Sequence, residues 1–194
     1  MTKRIAVDVT IWPLEVSAPR LAALRAVLSQ YETARLNRFS AQSAAREFIA
    51  SRGMARELLA LEFGCEPHAV KIGIGARGKP HFEQPSKPLA FNLSHSSGYC
   101  ALATGNVGRL GVDIEGIRAT IDDFASSVFS PGEAAQYAAI DADDRMRTFF
   151  RAWVAKEAFL KATGEGLAGG LKSLERNLTA GLEIDPLAIR GDPP

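Results

Sequence analysis

Apolar residues recur along this chain in two rhythms, and the alternation between them lays out a mixed α/β fold. A two-residue rhythm runs through Ile5–Val9 (IAVDV), and Leu89–Leu93 (LAFNL), Tyr99–Thr104 (YCALAT) and Leu110–Glu115 (LGVDIE) are short apolar-rich runs; each is read as a strand. Pro13 ends the first of these. Pro67–Ile74 and Leu182–Ile184 are read as two further strands. A helical rhythm occupies six stretches. Pro19 opens a helix through Ser29, with Leu21, Leu24 and Leu28 on one face. A short basic piece follows over Thr33–Arg38. Ser40 is the expected N-cap of a long helix over Ala41–Phe63, closed by Gly64. Ser130-Pro131-x-Glu133 has the form of a capping box opening a helix to Ile140, and Phe124–Phe129 is read as helical before it. The last helix spans Arg145–Thr163 and stops at Gly164.

Two places break the expected segregation of charge from apolar faces. In the Ala41–Phe63 helix, Arg52 and Arg56 lie within the stripe formed by Ala45, Phe48, Ile49, Ala55 and Leu59. They either snorkel over the edge of the core or face an anion. In the last helix, a wheel at 100° per residue puts Glu157 and Lys161 on the side of Phe150, Trp153 and Val154. A Glu and Lys four apart are ordinarily a surface pair worth about 0.2–0.5 kcal/mol. Set into a buried stripe, each costs several kcal/mol unless it meets a partner. LGVDIE supplies candidates, because a strand projects Asp113 and Glu115 from the same face. Three carboxylates converging on a small volume repel one another, and a divalent cation resolves the conflict. An all-oxygen set favours Mg²⁺, Mn²⁺ or Ca²⁺ over Zn²⁺. Lys161 would then neutralise a phosphate. His95 sits among Ser94, Ser96 and Ser97 in what reads as the loop of a hairpin, a setting suited to an anion.

Composition narrows the class. The 194 residues suffice for one large domain or two small ones, joined near 105–109. A formal charge of +1 gives no global field for nucleic acid or an anionic membrane, so any anion site is local. The two cysteines, Cys65 and Cys100, are too few for a disulfide framework and suit a reducing compartment. No segment reaches the ~18 apolar residues of a membrane span. A cytoplasmic protein is expected.

Four motifs converge on one family. Gly78-Lys79-Pro80, Phe91-Asn92-Leu93-Ser94-His95-Ser96, Gly111-Val112-Asp113-Ile114-Glu115 and Trp153-x-x-Lys156-Glu157-Ala158-x-x-Lys161-Ala162-x-Gly164-x-Gly166-Leu167 occur in that order. In these the chain resembles the 4′-phosphopantetheinyl transferases of the longer, pseudo-dimeric type that activates peptide and polyketide synthases. The resemblance implies transfer of 4′-phosphopantetheine from coenzyme A to a serine of an apo acyl or peptidyl carrier protein, with release of 3′,5′-ADP. It implies that Asp113, Glu115 and Glu157 hold Mg²⁺, for which Mn²⁺ can substitute, and that Lys161 grips the transferred phosphate. By the same resemblance His95 and Ser94 contact the nucleotide phosphates, Lys79 and Arg35 bind the adenosine end, and Lys156 belongs to the coenzyme A site. Glu157, or a metal-bound water beside it, is the expected base for the serine. The implied fold is α+β, two similar halves about a pseudo-two-fold axis: 1–105 on the nucleotide side, 106–194 with the metal ligands and carrier docking. A monomer is expected.

The match also has departures. Glu32 stands where members often carry a basic residue, and Ala44-Ala45 where many carry Asp-Arg, with Arg46 adjacent as a substitute. Members usually continue into one or two closing strands, whereas this chain reaches Gly191–Pro194 without one, so the second half is expected to have an open edge. That feature motivates an alternative reading, a catalytically weakened homologue that binds coenzyme A or a carrier. A third reading is a Mg²⁺-dependent phosphohydrolase built on the same carboxylates.

Overall fold

The computed structural model describes residues 6–75, 78–83, 89–117, 125–164 and 170–178. Its architecture is mixed α+β, as the apolar rhythms predict. A three-stranded antiparallel sheet has the order β1 (Val7–Pro13), β5 (Tyr99–Gly105), β4 (Ala90–Ser96). β4 and β5 form a tight hairpin, with Ser96 opposite Tyr99 across Ser97-Gly98. Both turn residues have positive φ (51° and 80°), the backbone that matches the twist of paired strands. His95 therefore lies within β4, opposite Cys100, and not in the loop. β1 joins the other side of β5, with Val7 opposite Gly105 and Trp12 opposite Cys100. A two-stranded ribbon, β2 (Ile72–Ile74) and β3 (Pro80–Phe82), flanks the sheet. Only the end of the expected Pro67–Ile74 strand forms; Pro67–Ala69 is a 3-10 turn, since Pro67 fixes φ at its start.

One face of the sheet carries Trp12, Phe91, Cys100 and Leu102 into a core with α1 (Ala18–Ala26) and α3 (Gln42–Phe63). α3 starts at Ala41 with no side-chain cap, not at Ser40. It ends as expected at Gly64, in the left-handed conformation. α2 (Gln30–Leu36) bridges α1 and α3 and opens with a capping box between Ser29 and Glu32. Glu32 is buried because it also pairs with Arg56, Nε to Oε2 at 2.5 Å. The Arg56 Nη1 donates to the carbonyls of Pro67 and Val70. So Arg56 is neither a snorkelling residue nor an anion ligand, and the acidic residue at position 32 has a structural reason.

After β5 and an irregular 106–117 segment, the regular elements among the described residues are helices. α4 (Ala125–Val128) leads to α5 (Pro131–Ala138), whose Ser130–Glu133 capping box forms in full. α6 (Ala142–Thr163) is the longest helix with α3 and ends at Gly164 in the left-handed conformation. A second core gathers Val128, Phe129, Phe149 and Ala152. No helix among the described residues is long and apolar enough to cross a membrane. The strand expected at Leu182–Ile184 lies outside the described residues.

Candidate active site

The 110–115 segment does not pair into a sheet. It runs alongside β4 and is held there by side chains. Asn92, Ser94 and Ser96 alternate along β4, so they project from one face. The Asn92 Oδ1 accepts from the Val112 amide at 2.9 Å. The Ser94 hydroxyl donates to Asp113 Oδ1 at 2.8 Å, and the Ser96 hydroxyl to Glu115 Oε2 at 2.7 Å. A strand edge normally recruits its neighbour through amides and carbonyls. Here three polar side chains do so and aim two carboxylates. The polar alternation in Asn92-x-Ser94-x-Ser96 is the sequence signal for this arrangement, which the expected anion-binding loop at Ser94–Ser97 does not use.

α6 supplies the opposite wall. Its buried stripe is Phe149, Ala152, Lys156 and Leu160, one position away from the stripe expected. The fully buried charge is therefore Lys156. The ammonium makes an ion pair with Glu133 at 2.5 Å, both side chains 0% exposed, and donates to the carbonyls of Val128 and Leu171 at 2.9 Å each. Three donors meet three acceptors. Lys156 has none left for a ligand and does not line the cavity, so its expected place in the coenzyme A site is not where the structure puts it. Glu133 is equally saturated: it accepts from the Ser130 and Arg176 amides as well.

Trp153, Glu157 and Lys161 form the adjacent, half-buried stripe and face a cavity of about 500 Å³. Asp113, Glu115, Ser94 and His95 line it too, and α2 and α3 close it with Arg35, Phe48 and Arg52. Seven of the nine expected site residues thus meet in one cavity: Arg35, Ser94, His95, Asp113, Glu115, Glu157 and Lys161. Lys79 does not line it; its ammonium donates to the carbonyls of Leu110 and Ala162. Burial, then Arg109, lowers its pKa. A neighbouring cavity of about 490 Å³ shares Arg35 and Phe39 and adds Tyr31 and Arg38. No carboxylate stands among its described lining residues, whereas the first holds Asp113, Glu115 and Glu157.

Charge is divided across the larger cavity. On one side, Lys161 Nζ lies 2.6 Å from Asp113 Oδ1 and 2.8 Å from Ser94 Oγ. The other oxygen, Asp113 Oδ2, is buried and accepts no hydrogen bond from the described residues. The Glu157 carboxyl is pushed above its ordinary range by burial, then by Asp113; Lys161 opposes this and Glu115 adds to it. On the other side, Arg52 and Arg35 sit over the ring of Phe48, their Cζ atoms 5.9 and 5.6 Å from its centroid. Burial lowers the Arg52 pKa, partly offset by Glu32. Of the two places its helical stripe allows, core edge or anion, Arg52 faces the cavity.

Among the described residues, no three Asp, Glu, His or Cys are drawn together tightly enough to cage a metal by themselves. Mg²⁺ does not need such a cage, since it is commonly held by one or two carboxylates, waters and substrate phosphates. The orphaned Asp113 Oδ2 and the mutual repulsion at Glu157 both fit a hard cation between them.

This arrangement, carboxylates and a lysine facing an arginine pair across one cavity, is that of an enzyme acting on a phosphorylated substrate. Residues 109–187 match the 4′-phosphopantetheinyl transferase superfamily, and residues 15–107 match the 4′-phosphopantetheinyl transferase N-terminal family. The chain is 38% identical over 178 residues to the 4′-phosphopantetheinyl transferase HetI of Nostoc sp., covering 89% of this chain and 75% of that one. It is 40% identical over 116 residues to the 4′-phosphopantetheinyl transferase AcpT of Escherichia coli, covering 59% and 58%. A 4′-phosphopantetheinyl transferase of Bacillus subtilis is 29% identical over 164 residues, covering 84% of this chain and 72% of the relative. The chain belongs to the 4′-phosphopantetheinyl transferase superfamily and is an enzyme of that class, for which coenzyme A is the co-substrate.

Proposed function

We propose that this transferase moves 4′-phosphopantetheine from coenzyme A to a serine of an apo acyl or peptidyl carrier protein, in a Mg²⁺-dependent reaction that releases 3′,5′-ADP. The observation that carries the reading is the buried, unpartnered Asp113 Oδ2 beside Lys161, opposite Arg35 and Arg52 in the same cavity. Asp113, Glu115 and Glu157 would hold the ion, and Mn²⁺, also a hard oxygen-seeking cation, would substitute. When bound, the metal neutralises charge on the pyrophosphate.

The chain's own residues do the rest. Arg35, Arg52 and His95 bind the nucleotide phosphates and fix the donor's orientation. Lys161 moves from Asp113 to the phosphate in flight, where its charge stabilises the transition state. The serine Oγ forms a bond to the pantetheine-bearing phosphorus. The bond from that phosphorus to the bridging oxygen breaks, and 3′,5′-ADP leaves with that oxygen. Glu157, or a water held beside it, takes the serine proton. Two family matches meeting at residues 107–109 support the division into a nucleotide half, 1–105, and a carrier-docking half, 106–194. Two free thiols, Cys65 and Cys100, support a reducing, cytoplasmic setting.

The test mixes the protein, coenzyme A, Mg²⁺ and an apo carrier, and weighs the carrier by mass spectrometry. A gain of the phosphopantetheine mass is expected, with equimolar 3′,5′-ADP. An unmodified carrier with coenzyme A still bound would sink the reading in favour of a binding homologue. Phosphate or ADP released without any carrier would point to a hydrolase.

A further inference from the structure

Lys79 belongs to the Gly-Lys-Pro motif, yet its ammonium does not face the cavity. It donates to Ala162 O at 2.7 Å and Leu110 O at 3.1 Å. Ala162 lies in the last turn of α6, where carbonyls lack intrahelical donors and carry the negative end of the helix dipole. An ammonium there satisfies one such carbonyl and complements the dipole. The second acceptor, Leu110 O, belongs to the residue before Gly111. A Cβ at Gly111 would collide with Ala158 O and the Ala162 amide, so this backbone rests directly on the end of α6. Lys79 Cδ in turn lies 3.7 Å from where a Cβ of Gly164 would be. The turn at 78–80, the 110–111 backbone and the C-terminal turn of α6 therefore meet at one cation.

The active-site charges hang from the two strands of this junction. Asp113 is two residues beyond Gly111. Lys161 immediately precedes Ala162, and Glu157 lies one turn earlier. The separation of the 113–115 carboxylates from Glu157 and Lys161 is set where Leu110 and Ala162 are tied together.

We infer that Lys79 is a positioning residue whose ammonium sets the spacing of the carboxylate site by bolting the 110–111 backbone to the end of α6, and that this ammonium is not a ligand of the nucleotide. The inference rests on the functional reading above only in naming what the junction positions.

The experiment uses the full-length protein with Lys79→Met, which keeps the aliphatic stem and removes the donors, and Lys79→Arg, which keeps two donors. Mn²⁺ alone is titrated by electron paramagnetic resonance without coenzyme A. KM for coenzyme A is measured at saturating metal, and amide exchange is followed at 110–115. Lys79→Met should weaken Mn²⁺ binding about tenfold, the range of a residue that orients metal ligands, and speed exchange at 110–115. KM for coenzyme A should move less than about twofold. Lys79→Arg should recover most of the exchange protection and the Mn²⁺ affinity. Unchanged Mn²⁺ affinity and exchange with a large rise in KM would overturn the inference and make Lys79 a direct ligand. Lack of Mn²⁺ binding by the unsubstituted protein would count against the metal reading of the site, and the exchange comparison would still decide the bolt. Should Lys79→Met fail to fold, Lys79→Gln, which retains a donor, carries the same comparison.

Discussion

Lys161 Nζ lies 2.6 Å from Asp113 Oδ1, so the cation proposed to grip the phosphate is paired with a carboxylate proposed to hold the metal. Lys161 is 30% exposed while Asp113 is 4% exposed. The lysine has room to leave, and the aspartate does not. On the proposed roles, a metal at Asp113 would compete with the ammonium, and a substrate phosphate would relieve that competition by attracting it.

Lys161→Met should therefore act in opposite directions on two measurements. Transfer should fall at least about a hundredfold, the scale of losing one transition-state charge contact. Binding of Mn²⁺ to the coenzyme-free protein should tighten, by about tenfold after solvent screening of a partly exposed pair. Titration of Mn²⁺ against both proteins measures it, and weaker binding by the variant would contradict the competition.

Ser94 touches both partners, donating to Asp113 and accepting from Lys161. Removing its hydroxyl in Ser94→Ala leaves Asp113 with one hydrogen bond fewer and frees its orientation. Losses of about 10–100-fold are usual for groups that orient metal ligands. Steady-state kinetics should show the loss mainly in the apparent affinity for Mg²⁺. An unaltered Mg²⁺ dependence with a higher KM for coenzyme A would mean that Ser94 contacts only the nucleotide.

Lys156→Met should destabilise the protein by about 3–5 kcal/mol, because it leaves Glu133 buried at 0% exposure without its cation. The double substitution Lys156→Met, Glu133→Gln should recover part of that loss, since no uncompensated charge remains. Urea unfolding curves of the three proteins supply the comparison. A fully stable Lys156→Met protein with poor coenzyme A binding would return Lys156 to the substrate site.

Glu157 titrates above its ordinary value of 4.5 in the folded chain. The folded state thus holds its proton to higher pH than the unfolded state, and stability is lost as pH rises from the ordinary value through the raised one. Without metal, Glu157→Gln should melt at a higher temperature than the parent protein at pH 7, and the difference should vanish below pH ~4. Melting curves in chelator across this range test the sign. Added Mg²⁺ should narrow the gap at pH 7 by stabilising only the parent.

Much of this architecture was legible locally. Gly64 and Gly164 end the two long helices where the rhythm stops, and the Ser130–Glu133 capping box forms as read. The hairpin of β4 and β5 follows from two short apolar runs around Ser97-Gly98. Each signal is local because the backbone preference and the hydrogen bonds it needs fall within a few residues. The four motifs also brought most of the site together by resemblance.

What the tertiary structure decided concerns faces and partners. A wheel says that Phe149, Trp153, Lys156 and Glu157 lie on neighbouring stripes of α6, but not which stripe meets the core. Packing against Phe129 and the pairing of Lys156 with Glu133 settled that, and it moved the buried charge by one residue. The 110–115 segment has the alternation of a strand, but it is held by Asn92, Ser94 and Ser96 in place of a ladder. The motif places Lys79 at the adenosine end by resemblance, and only the fold shows that its ammonium meets two carbonyls 31 and 83 residues away. Periodicity determines which residues share a side of an element. Only the folded chain determines which distant group satisfies each buried donor, because that choice depends on which partners long-range packing brings within reach.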